Sequence, residues 1–395
     1  MSAEPINSWD AIALVAGEST FGTTPNPAGS QAVELISIKT GGSEEGATRG
    51  KRDRGLGREM QNGFVRGRVQ PGQFSIITSW KTRGDADDAY AAMDTILAAA
   101  GLYKTTNSGV SVTYVPVADP QSTGTLIPMS IFRATGKGLY ATFAEQMRGC
   151  VVKTVKISGG DKEVECEASG DWAGKYTLGK VDSVTLADGS GTTLTLTAEE
   201  SHRIGPGWYS IESEVIKVTD SSYGATSRTI ARAQVSTTGA AHTAQPMMPY
   251  VPGDIVFSGS PISEATATFT LDSVALEVQS WQATFTSGID LRAGATGSAY
   301  APGTKLLRTD LTITAKVMLR REHLSLVGKS NTGKTVVCSI VQGTGAGGIF
   351  TLAASYCEVM AFEVPDNEND IVIADISLRC RGNVAGNNLF TITLT

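Results

Sequence analysis

Two stretches of this chain, about 33–172 and about 278–395, pass through the same order of elements. Each opens with a strand pattern (32–39; 281–291), followed by a polar loop bearing Gly and Arg (41–72; 292–308). An alternating strand (73–80; 310–319), a helix (85–100; about 321–328) and a run of further strands complete each copy. The match is one of order, not of letters. A duplicated β module without a visible active site points to an assembly subunit rather than an enzyme.

The strand patterns are explicit. Leu311, Ile313, Ala315, Val317 and Leu319 alternate with Thr312, Thr314, Lys316 and Met318, and Trp281, Ala283 and Phe285 alternate with Gln282, Thr284 and Thr286. That two-residue period belongs to half-buried antiparallel sheet. The 44 Gly and abundant Thr suit short strands joined by tight turns. The one clear helix, 85–100, has acidic residues in its first turn. Its apolar residues (Tyr90, Met93, Ile96 and Leu97 among them) recur at three- and four-residue steps before the Gly101 stop.

A patch of different character, 174–251, interrupts the duplication and is expected to be a small all-β insertion. The predicted organisation is an N-terminal arm (1–31), a first β domain (32–173), the insertion (174–251) and a second β domain (252–395). Within the arm, 11–15 is a short strand candidate. The fold class is all-β: tandem, pseudo-duplicated sandwich or barrel domains with one flanking helix each, plus the insertion.

With 395 residues, 41% hydrophobic and 18% charged, the chain is of globular composition. A net charge of −6 argues against a protein whose main task is to grip nucleic acid. The five widely spaced cysteines fit reduced core thiols better than a disulfide framework. No signal peptide and no membrane span are expected.

Residues 328–335, GKSNTGKT, match the phosphate-loop pattern letter for letter. That chemistry requires the loop to open a helix, whereas VVCSIVQ follows and is strand-like, so a turn into a strand is expected and no nucleotide. His202, His242 and His323 stand apart, at no metal-ligand spacing. Asp85, Asp87 and Asp88 lack the remainder of a calcium loop and are explained as first-turn helix acids. Neither a cofactor nor a metal is expected. Glu163, Glu165 and Glu167 alternate with Val164, Cys166 and Ala168. The acidic stripe is either a solvent-facing surface or the wall of a negatively charged channel.

The loop 41–72 is long and charged, carrying Arg49, Lys51, Arg52, Arg54 and Arg58 among interleaved acids. A protein contact explains it better than a DNA contact. The floppy N-terminus, this loop with GLGREMQNGFVRGR (55–68), one flanking helix and a last strand, NLFTITLT (388–395), together resemble the major tail tube proteins of long-tailed bacteriophages. The insertion resembles a small β module common in phage tail proteins: Glu214, Arg232, Thr237, Ala240 and His242 fit its pattern. Ala233 and Gln245 stand where that module has glycines.

The resemblance implies a structural subunit whose rings stack into a hollow conduit that DNA crosses without specific binding. Its partners would be copies of itself, in trimeric pseudo-sixfold rings or alternatively hexameric ones. Tape-measure, terminator, and baseplate or sheath proteins would be others, and its place would be the virion tail. Arg49, Lys51, Arg52, Arg54 and Arg58 would make inter-ring contacts, and Glu163, Glu165 and Glu167 would line the lumen. The alternative is another virion component, such as a baseplate or fibre protein.

Overall fold

A computed structural model describes residues 11–40, 71–82, 91–117, 126–135, 143–220, 224–255, 259–262, 267–293, 300–303, 309–320, 323, 325, 326, 328, 335–345, 347–363, 372–382 and 389–395. The molecule is all-β, with closed and nearly closed barrel sheets.

The first barrel begins with β1 (Ala11–Gly17), β2 (Ala32–Val33), β3 (Leu35–Thr40), β4 (Gly72–Ser79) and the short β5 (Lys81–Thr82). Helix α1 (Ala91–Ala99) and the hairpin β6 (Leu102–Asn107)–β7 (Ser111–Pro116) follow. Then come β8 (Met129–Thr135), the long β9 (Phe143–Gly160), β10 (Glu165–Trp172) and β11 (Gly174–Gly179). The ring of pairings β1–β2, β3–β4–β10–β9–β8–β1 closes the barrel, β2 leading into β3 through Glu34. α1 buries Ala92, Met93, Ile96 and Leu97 against β1, β6, β8 and β9, and Gly101 at φ +77° ends it.

A separate six-stranded sheet comes next: β12 (Val181–Leu186), β13 (Thr193–Thr195), β14 (Gly207–Ile211), β15 (Glu214–Val218), β16 (Ser227–Gln234) and β17 (His242–Pro249). A single-turn helix, α2 (Ala198–Ser201), sits between β13 and β14, with Thr197 and Glu200 forming a capping box. The core of this sheet, including Tyr209, Ile216 and Met247, packs onto Leu14, Phe132, Ala144 and Leu178 of the first barrel.

The second barrel holds β18 (Ser260–Pro261), β19 (Ala267–Leu271), β20 (Val274–Thr286), β21 (Asp290–Ala293), β22 (Tyr300–Gly303) and β23 (Asp310–Met318). It ends with β24 (Thr335–Gln342), β25 (Phe350–Glu363), β26 (Ile373–Cys380) and β27 (Thr391–Leu394). The pairings β19–β20–β23–β26–β25–β24–β19 form a complete ring.

The duplication extends to the register. Ala13 faces Arg133 as Phe269 faces Ile340, Cys166 faces Thr78 as Ala374 faces Val317, and Ser37 faces Ile77 as Ser280 faces Lys316. Three bulges recur at matching places. One separates Leu35 from Ser37 and Val278 from Ser280, and another separates Met129 from Ile131 and Val336 from Cys338. The third lies between the pairs Ser169↔Thr154 and Gly170↔Val152, and between Val359↔Leu378 and Ala361↔Ser377. Bulges re-aim strands and are kept as designed features, so three coincidences tie the copies together more firmly than element order does.

Several sequence expectations are corrected here. Of the expected arm, 11–17 is a barrel strand, and Glu18 beyond it accepts hydrogen bonds from Gly22 N (2.6 Å), Ser130 Oγ (2.5 Å) and Gly149 N (2.8 Å). The second copy starts at β19, not near residue 278, because Asp272 and Ser273, both with positive φ, turn β19 tightly into β20. β11 (Gly174–Gly179) pairs with β9 and so goes with the first barrel. It corresponds to β27, which pairs with β25, and the six-stranded sheet therefore lies between the copies rather than interrupting one. Of the second flanking helix, the described residues Ser325, Leu326 and Gly328 are helical.

Three strand pairings among the described residues join the barrels. β9 pairs with β20 over seven residues, from Gly160↔Ser280 to Thr154↔Thr286, β7 pairs with β27, and the short one is β5 with β18 (Lys81↔Pro261, Thr82↔Ser260). Beneath the first junction the cores merge around Phe350. Its ring lies 5.1 Å edge-on from Trp80 of the first barrel and 5.6 Å in a stack with Trp281 of the second. Phe350→Ala is expected to cost about 3–5 kcal/mol. Urea unfolding will show both barrels destabilised together. Loss confined to the second barrel would contradict a shared core.

Candidate functional site

The β9–β20 junction makes one continuous antiparallel sheet in the order β3–β4–β10–β9–β20–β23–β26–β25. Alternation sends Phe74, Ile76, Cys166, Ile157, Ala283, Ile313 and Ile376 into the core. The other face is mostly polar: Ser75 and Ser79 flank Ile77 on β4, and Glu165 and Glu167, Lys156 and Ser158, Gln282 and Thr284, Thr312 and Lys316, Asp375 and Ser377 follow on its neighbours, with Met318 facing Ile373 toward one end. It encloses a concavity of about 590 Å³ lined by Lys156, Ser158, Gln282, Lys316, Glu363 and Asp375 among others.

Glu163, Glu165 and Glu167 lie at this solvent face, and each is engaged by a neighbour. Ser79 Oγ donates to Glu163 Oε1 at 2.8 Å, and Lys162 Nζ sits 2.5 Å from Glu165 Oε2. Glu167 accepts from Ser75 Oγ at 3.3 Å, with Lys156 Nζ at 3.7 Å. Farther along, Lys153 pairs with Asp171 at 2.5 Å and Arg379 with Asp310 at 2.8 Å. Each exposed pair contributes only about 0–1 kcal/mol. Their collective effect is electrostatic: the surface has mixed, locally balanced charge in place of a bare acidic stripe. Such a face offers hydroxyls, amides and paired ions to water.

The sheet has two open ends. Among the described strands β3 pairs laterally only with β4 along 35–40, and 359–363 of β25 pair only with β26. Large apolar side chains are exposed at both ends: Ile36 (51%) at the β3 bulge and Met360 (56%) at the β25 bulge. Their counterparts at the internal junction are Gln279 and Lys153. Sequence alone gives no sign of Ile36 and Met360, because the signal is a bulge and bulges depend on the partner strand.

The expected inter-ring residues Arg49, Lys51, Arg52, Arg54 and Arg58 lie outside the described residues. Of the phosphate-loop match, 329–334 also lie outside them. Thr335 opens strand β24 rather than a helix, so the dipole that such a loop needs does not follow it.

The five motif residues of the central module do converge. Glu214, fully buried, takes a two-pronged contact from Arg232 (Nε 2.7 Å, Nη2 2.6 Å) and accepts from the amides of Ala233 and Ala240 at 3.1 Å. Thr237 Oγ1 accepts from Val215 N at 3.0 Å. His242 bridges Glu212 (Nδ1, 2.8 Å) and Glu214 (Nε2, 2.8 Å). The histidine that stands apart in sequence thus sits between two carboxylates. They grip opposite ring nitrogens and do not converge on a point, and no group among the described residues could hold a metal. Ala233 keeps the left-handed backbone (φ +53°) that a glycine would favour. Burial alone would raise the Glu214 pKa, but the bonds from Arg232, Ala240, His242 and Ala233 outweigh it and hold it at about 2.

No family model matches this chain, and no curated protein sequence matches it. No helix among the described residues is long and apolar enough to cross a membrane.

The network carries a pH signature. A carboxylate whose folded pKa is depressed stabilises the fold above its unfolded value, and that stability is lost as pH falls through the folded one. For Glu214 the loss spans the interval from its ordinary 4.5 down to about 2. Unfolding followed by Trp208 fluorescence will show the module weakening across that window. Glu214→Gln will abolish the dependence and cost about 3–5 kcal/mol, since it strands Arg232 without its counter-charge. An unchanged acid profile in the variant would contradict this assignment.

Proposed function

We propose that this chain is a structural subunit that closes head-to-tail into rings, and that the rings stack into a hollow tube of the phage-tail kind. The observation that carries this reading is the junction inside the chain. There β9 of the first barrel pairs with β20 of the second. The corresponding strands, β25 of the second barrel and β3 of the first, are the open ends of the same sheet. A second copy offering β3 to β25 would repeat between chains what already exists within one. Such a contact is heterologous, so it yields a ring if the rotation closes and a filament if it does not. Exposed sheet edges invite pairing with another chain, and closure removes them.

Width supports a conduit. Eight strands from each of three chains give a barrel of about 24 strands, and barrels of about 16–18 already enclose an aqueous channel. The polar face would then form the lumen. Hydroxyls and paired ions would leave no cationic patch for phosphates to settle on, so DNA could pass without being held. The six-stranded module packs on the wall formed by β1, β8 and the first half of β9, away from that face, as bulk outside a tube would. In this reading the chain performs no catalysis, needs no cofactor, and meets other tail proteins at the tube ends in the virion.

Replacing Ile36 and Met360 together by Asp, which puts the opposite charge where the internal junction carries Lys153, tests the reading. Both side chains are exposed in the single chain, so circular dichroism and melting are expected to stay close to those of the parent. Sedimentation and negative-stain images are expected to lose rings and tubes. Rings of parental size from the double variant would sink the edge-pairing model, and elongated particles without rings from the parent would favour a fibre or baseplate component.

A further inference from the structure

Three of the five cysteines meet inside the second barrel. Cys338 on β24, Cys357 on β25 and Cys380 on β26 are all buried. Cys357 and Cys380 are direct register partners on adjacent antiparallel strands, with sulfurs 2.9 Å apart. Facing residues of an antiparallel pair have Cα atoms about 4.5–5.5 Å apart, inside the roughly 4.4–6.8 Å that a disulfide spans. The bond could therefore form without moving the backbone. A zinc ion keeps each thiolate about 2.3 Å from itself and so holds the sulfurs well apart, which this direct contact does not allow.

The three thiols are not equivalent. Cys357 Sγ lies 2.9 Å from Cys380 Sγ and 3.7 Å from Ala354 O, and its bonds with Cys338 and Cys380 hold its pKa below the usual thiol range. The Cys338 and Cys380 thiols are pushed up, by their bonds to Cys357 and by burial. The first barrel supplies an internal comparison. Cys150 stands at the place of Cys357, facing Met129 as Cys357 faces Val336, and Cys166 faces Thr78 and Ile157. Neither faces another thiol.

We propose that Cys357 and Cys380 form an oxidation site, a dithiol that a small hydroperoxide converts into a cross-strand disulfide. The Cys357 thiolate attacks one peroxide oxygen, the O–O bond breaks, and the departing hydroxide takes a proton to leave as water. The Cys380 sulfur then attacks the resulting Cys357 sulfenic acid, and the hydroxyl leaves with the Cys380 proton as a second water. Two thiols and one hydrogen peroxide thus give one disulfide and two waters, the sulfurs supplying both electrons. Hydrogen peroxide is small enough for a buried site, whereas a bulky disulfide reagent is not. The bond would staple β25 to β26 just before Met360, where β25 becomes the open edge of the sheet.

Full-length protein would be treated with a few equivalents of hydrogen peroxide, denatured, alkylated with N-ethylmaleimide and mapped by mass spectrometry. Two of the five thiols should be lost, with the mass of two hydrogens, and one peptide pair should link Cys357 to Cys380. Dithiothreitol should restore both. Cys150→Ser and Cys166→Ser should leave this outcome unchanged, and Cys380→Ser should abolish the link. Mapping of the parent protein decides the question even if Cys380→Ser fails to fold. Five intact thiols after peroxide, a link through Cys338, Cys150 or Cys166, or a bond between chains would overturn the proposal. None of these readouts depends on rings, so the site stands or falls apart from the tube reading.

Discussion

The antiparallel pairing of β9 with β20 is the contact on which the rest of the molecule depends. Without it the barrels would be held, among the described residues, only by the short β5–β18 and β7–β27 pairings. With it, two four-strand walls become one sheet of eight, the polar residues of both barrels share a face, and the apolar residues beneath form one core around Trp80, Trp281 and Phe350. Backbone hydrogen bonds supply the geometry, and burial of that core supplies most of the free energy. The β7–β27 pairing adds a further strap from the first barrel to the last strand of the second.

What was legible in the sequence follows from how local each signal is. The alternation 311–319 and 281–286 announced β23 and β20, because one face of each is core and the other polar. The three- and four-residue spacing of Met93, Ile96 and Leu97 announced α1. Strand partners were not legible. Nothing in AIALVAG says that β1 closes a barrel with β8, and Glu167 finds Ser75 and Lys156 only once β4, β10 and β9 are in register. A one-residue slip would send each of these side chains to the other face. His242 reads as solitary for the same reason: Glu212 and Glu214 reach it only after β15, β16 and β17 have folded together.

The two copies have diverged where their surroundings differ. At the internal junction the bulge positions carry Gln279 and Lys153, polar residues beside the strand they meet. At the open ends the same positions carry Ile36 and Met360, which water now covers. Large apolar side chains on free sheet edges are an aggregation liability unless a partner hides them. Asymmetry of the same kind marks the central module, whose core, among the described residues, packs on the first barrel.

That module gives the most direct test of the central claim, that successive chains repeat the internal junction. End-on averages of purified assemblies, imaged by electron microscopy without imposed symmetry, would resolve the ring. The account predicts six similar barrels around a central channel, with an outward protrusion on every second one. A ring with a protrusion on every barrel, or one in which the modules point into the channel, would contradict it.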